Sequence, residues 1–130
     1  MRPRAFLVAA SIGAAMLASQ AMAAANDYVF EPVKAEIQKG DDVTVAVRLV
    51  QKSTKNPIRD AVIVRTRIDM GPDGMPTMEA PLAPAPSGEP GIYSFKTSLP
   101  MAGRWLLSIA AKVQGEPETV VGKITYTVMP

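Results

Sequence analysis

Five methionines lie beyond residue 23, at Met70, Met75, Met78, Met101 and Met129, and the chain has no Cys and no His anywhere. Three of them fall in the run Met70-Gly71-Pro72-Asp73-Gly74-Met75-Pro76-Thr77-Met78, and Met101 sits in a Pro100-Met101-Ala102-Gly103 turn. Thioether sulfur is soft and neutral. It selects Cu(I) or Ag(I) over zinc or Cu(II), which prefer imidazole, carboxylate or thiolate. Without His or Cys, a zinc or blue-copper site of the usual kind cannot be built. Met70, Met75, Met78 and Met101 are therefore the candidate metal ligands, and Cu(I) is the candidate ion. Trp105 and Tyr93 are the candidate aromatic side chains covering such a site, where Trp105 could add a cation–π contact.

A plainer use of the same residues competes with this one. Methionine is a flexible apolar filler, and a proline-rich loop needs something to pin it. Met70 and Met101 would then pack beneath the loop, while Met75 and Met78 would cover its rim or meet a partner. Tyr93 and Trp105 would belong to the core, since buried aromatics dominate small sandwich cores. Asp69 and Asp73 read as turn formers, because no EF-hand spacing follows them. Arg65 and Arg67 read as a solvated strand face.

Catalysis is disfavoured by inventory. The commonest general base, His, is missing. No nucleophile elbow, Walker motif or dinucleotide fingerprint occurs. A ligand or enzyme role in an end pocket lined by Tyr93 and Trp105 would need convergent polar groups in an apolar cavity, and the sequence carries no sign of one.

The elements that must position these residues begin after an export leader. Met1-Arg2-Pro3-Arg4 is a basic opening, Ala5 to Ala18 is apolar, and Ala21-Met22-Ala23 offers the small residues of a cleavage site. These features predict a cleaved signal peptide over residues 1–23, with an uncleaved N-terminal anchor as the alternative, a single domain over residues 24–130, and a periplasmic location. The apolar run is short for a membrane span, which needs about 20 residues. No other segment is long and apolar enough, so no stable span is expected after cleavage, and without Cys no lipoprotein anchor is expected. The 130-residue chain has 14 Lys+Arg and 12 Asp+Glu. Since Arg2 and Arg4 lie in the leader, the remainder is balanced, and no basic patch with interleaved aromatics points to nucleic acid.

Beyond the leader the periodicity is that of strands. Tyr28 to Pro32 suits an edge strand because of Pro32, and Val33 to Ile37 alternates. Val43, Val45, Val47 and Leu49 share one face of a β-branched run. Ala61 to Asp69 is the next strand, with Val62, Val64, Thr66 and Ile68 expected on one side. Six prolines between Met70 and Pro90 rule out a regular helix or central strand there. Gly91 to Leu99, Arg104 to Val113 and Thr119 to Val128 follow, the second placing Trp105, Leu107, Ile109 and Ala111 on one face. The expected fold is all-β, an immunoglobulin-like two-sheet sandwich of about seven strands.

Ile68-Asp69-Met70, Met78, Gly91-Ile92-Tyr93 and Met101-Ala102-Gly103-Arg104-Trp105 together resemble the YtkA-like/FixH-like family of small envelope proteins, over roughly Val43 to Val128. The resemblance implies an immunoglobulin-like fold and an association with copper handling or heavy-metal efflux. FixH-like members usually carry a membrane anchor. This chain has only the leader, which argues against a role in cytochrome oxidase assembly. The expected function is a non-enzymatic periplasmic protein binding Cu(I) or Ag(I) through the methionine-rich loop, with heavy-metal efflux or copper-delivery proteins as partners. The alternative is an accessory interaction module of an efflux or envelope assembly complex with no metal bound.

Overall fold

The computed structural model describes residues 24–130, and the expected leader over residues 1–23 lies outside the described residues. Nine strands form among the described residues: β1 Tyr28–Pro32, β2 Glu36–Gln38, β3 Gly40–Gln51, β4 Val62–Met70, β5 Met75–Ala80, β6 Leu82–Ala85, β7 Ile92–Leu99, β8 Gly103–Lys112 and β9 Val120–Met129. One sheet runs β1-β3-β7-β6 and the other β2-β9-β8-β4-β5. All pairings are antiparallel except β2 with β9. The first sheet has the A-B-E-D order of an immunoglobulin sandwich. The second contains its C-F-G set as β4-β8-β9, widened by β5 beside β4 and by β2 beside β9. The expected immunoglobulin-like, all-β architecture is the observed one, and no helix among the described residues is long and apolar enough to cross a membrane.

Alternation explains the core. Val43, Val45, Val47 and Leu49 of β3 face Trp105, Leu107, Ile109 and Ala111 of β8, and all are buried. Each such aliphatic side chain contributes about 2 kcal/mol relative to leaving it in water. Ile124, Tyr126 and Val128 of β9 complete the layer. The Tyr126 hydroxyl donates to the Ala46 carbonyl of β3 at 2.8 Å, a polar tie between the sheets. Burial pushes the Tyr126 hydroxyl's pKa well up, so it stays protonated.

Two expectations are corrected. The stretch from Met70 to Pro90 carries β5 and β6, which raises the count above seven. Both are edge strands, one on each sheet, and the chain changes sheets at Pro81 between them. Proline is tolerated at an edge because one side of the strand makes no ladder bonds. The second correction concerns β4. Its pairing with β8 shifts register between Ile63 and Arg65, so Val62 and Val64 are 62% and 49% exposed while Ile63 packs on the core. A bulge inserts one residue and reverses which face the alternation serves.

Candidate functional site

β4 ends at Met70, and the chain turns through a 3-10 turn, Gly71–Asp73, before Met75 opens β5 opposite Met70. Pro72 suits the first positions of such a turn, where its missing N–H costs nothing, and Gly74 closes it in the left-handed region at φ 79°. Asp69 holds the entry, accepting from the Gly71 N–H at 2.7 Å. Arg67 holds the exit. Its guanidinium donates to Asp69 Oδ2 at 2.8 Å, to Glu79 Oε1 at 2.8 Å and to the Pro76 carbonyl at 2.7 Å, which fixes β5 against β4.

The turn is then fastened to the start of β8. Asp73 accepts from the Arg104 main-chain N–H and from Arg104 Nε, each at 2.8 Å, and Arg104 Nη2 donates to the Pro72 carbonyl at 2.8 Å. The Arg104 main-chain N–H, followed by its guanidinium, holds the Asp73 carboxyl below the usual carboxylate range. Gly103 makes the contact possible. Its φ is +142°, and a Cβ there would sit 2.5 Å from Asp73 Oδ2 and 2.7 Å from the Met70 terminal methyl.

These fastenings bring the methionine loop and the Met101 turn to one end of the second sheet. Met70 lies in the core at 1% exposure, packed beneath the turn. Met75, Met78 and Met101 face solvent at 37%, 38% and 40% exposure. β5 and β8 flank β4, so Met75 on β5 and the start of β8, which follows the Met101 turn, are two strand spacings apart, about 9–10 Å. Met129, left out of the sequence-based ligand set, lies at the same end, one residue past the Val128–Gly103 pair, and is also exposed. The signal was available in the register of the last strand, had that strand been extended by one residue. Asp73, Arg104 and Arg67 were not anticipated as the groups that hold this end together, because their partners lie in other strands.

The two aromatic side chains are not a lid over the methionines. Trp105 is 1% exposed in the core, and its Nε1 donates to the Met101 carbonyl at 3.0 Å. It supports the turn from below. Tyr93 stands at the other end of the sandwich, where its hydroxyl donates to the Ile58 carbonyl at 2.6 Å and accepts from the Ala61 N–H at 3.1 Å. Ala61 precedes β4 and Met70 ends it, and nine extended residues span about 30 Å. An end pocket shared by Tyr93 and Trp105 is therefore excluded. Tyr93 instead lines an open groove of about 320 Å³ between β4 and the β6–β7 pair. Among the described residues no three carboxylates gather as a hard-cation site.

Comparison with known proteins finds distant likenesses and one sequence family. Among solved structures, a ZirS C-terminal domain is 14% identical, with 79% of this chain and 67% of that chain covered at a TM-score of 0.43. The Lin-41 filamin domain is 18% identical, with 74% and 91% covered at a TM-score of 0.41. Both are distant, and the fold assignment rests on strand order. No curated protein matches the sequence. One sequence family, described as YtkA-like, matches residues 22–110, which takes in the methionine loop, the Met101 turn and most of β8. With well over half of its residues matched, the chain belongs to the YtkA-like family.

Proposed function

We propose that this YtkA-like protein is a non-enzymatic periplasmic protein that binds Cu(I) or Ag(I) as cargo, with heavy-metal efflux or copper-delivery proteins as its partners. The observation that carries the reading is the exposure of Met75, Met78 and Met101 at one end of one sheet, on two segments clamped by Asp73 and Arg104. Soft donors exposed at one end of a fastened frame suit a soft monovalent ion, and the chain has no imidazole or thiolate to draw zinc or Cu(II) instead. Met70 serves as the packed floor beneath the turn. Export by the leader supplies the compartment.

The deciding experiment is a Cu(I) titration under reducing conditions against a chromophoric competitor, with the native protein and a Met75→Leu/Met78→Leu/Met101→Leu variant. Uptake of about one ion per chain is expected, weakened at least about tenfold in the variant while circular dichroism stays unchanged. Absence of uptake by the native protein, or equal uptake by the variant, would refute it.

A second reading has an observation of its own. β5 is an edge strand, and Met75 and Met78 are exposed on it. Flexible thioethers suit an adaptable contact surface, so a protein that takes up no copper would use this edge to dock on an efflux or envelope assembly complex.

A further inference from the structure

The outer face of the second sheet is a candidate surface unconnected with the methionines. The register puts Arg65, Ala110 and Val121 in one row across β4, β8 and β9, and Arg67, Ser108 and Lys123 in the next. Short side chains on the middle strand lie between longer ones on both flanks. The result is a trough of about 480 Å³ along β8, floored by Ser108 and Ala110. Its flanking rows are two strand spacings apart, about 9–10 Å, the width an extended polypeptide needs.

The charge of this face is one-sided. Arg65, Arg67, Arg104, Lys112 and Lys123 point outward from the three strands, and the carboxylate among them on these strands is Asp69. Asp69 already binds Arg67, and Arg104 is taken by Asp73. Among the described residues Arg65, Lys112 and Lys123 have no carboxylate within ion-pair distance. The sequence past the leader is balanced in charge, so the asymmetry is a property of the face. Val62 and Val121, at 62% and 68% exposure, stand on the same face beside these cations.

We propose that this trough docks an extended, acidic segment of a partner protein, with its carboxylates on Arg65, Lys112 and Lys123 and its apolar side chains against Val62 and Val121. Complementary charge steers such an encounter and fixes its register. The face favours polypeptide over an anionic membrane for two reasons. It is concave, and its outward positions on β4, β8 and β9 hold no aromatic side chain of the kind that anchors proteins at lipid interfaces.

The test uses the purified, isotope-labelled protein and a synthetic peptide of alternating glutamate and valine, followed by amide chemical shifts. Shifts are expected on β4, β8 and β9 and not on β1 or β3. Binding should weaken at least about tenfold in an Arg65→Glu/Lys123→Glu variant, and should fall as ionic strength rises. Cu(I) uptake should be the same in both forms, so this surface and the methionine site succeed or fail separately. Shifts mapping elsewhere, an unchanged affinity in the variant, or binding to phosphatidylglycerol vesicles without binding to the peptide would each overturn the proposal. Circular dichroism of the variant guards against misfolding, and a neutral Arg65→Gln/Lys123→Gln pair with an intermediate affinity would support the charge dependence.

Discussion

A methyl group added at residue 103 has no room, since Asp73 and Met70 occupy its place and the backbone is in a region that favours glycine. Gly103→Ala should therefore cost about 2–4 kcal/mol, read as a lower urea midpoint at unchanged slope. Thr97 is the opposite case. Its hydroxyl is buried and has no hydrogen-bond partner. Thr97→Val removes that desolvated group at nearly constant shape and should stabilise the protein by about 1 kcal/mol in the same assay. Asp73 provides a pH-dependent prediction. Its folded-state pKa lies below the ordinary value because Arg104 binds the ionised form. Its contribution is thus present above the unfolded-state pKa of about 3.9 and is lost as pH falls through the lower folded value. The Tm of Asp73→Asn should lie below that of the native protein near neutrality, and the gap should close as pH drops from about 5 to about 2. A gap that stays constant across that range would refute the linkage.

At the scale of elements, β5 depends on one side chain. The strand is short, lies at an edge, and pairs with β4 over Ile68–Ala80, Asp69–Glu79 and Met70–Met75 with a register shift. Arg67 spans that irregularity by reaching Asp69, Glu79 and the Pro76 carbonyl at once. The Arg67 side chain is itself about half exposed, so global stability should fall only slightly in Arg67→Ala, read as a small drop in Tm. The local effect should be larger. Amides of β5 should exchange at least about tenfold faster in the variant while those of β8 hold their native rates, because an edge strand can open without the core. If β5 protection survives, the edge is held by its ladder alone. Under the proposed copper-binding role the same variant should also weaken Cu(I) uptake, since Met75 and Met78 ride on this strand.

At the scale of the whole molecule, two sheets are closed on each other by apolar layers and by the Tyr126–Ala46 hydrogen bond. Ala46 also accepts from the Val33 N–H. Tyr126→Phe therefore leaves no orphaned carbonyl and should cost about 1 kcal/mol. Trp105 is the single tryptophan and is buried between the sheets. Its emission should be blue-shifted in the native state and should move red in one transition that coincides with loss of β circular dichroism, as a single cooperative core requires. Separate transitions would mean that the two sheets unfold independently.

Much of this architecture follows from the chain read by itself. Alternating Val43, Val45, Val47 and Leu49, and Trp105 through Ala111, have one way to bury every second side chain, which is a strand packed on another sheet. The donor inventory is equally a property of composition, since no fold can supply an imidazole or thiolate that the chain lacks. What the tertiary structure decided depends on register. A bulge in β4 turned Val62 and Val64 outward, and edge positions let the proline-rich stretch form β5 and β6 despite its missing N–H groups. Distances between residues remote in the chain were likewise beyond periodicity. Tyr93 went to the far end from Met70, Asp73 met Arg104, and Arg65 and Lys123 came onto one face. Strand alternation is a local preference, but which strand lies beside which is set by burying both sheets at once.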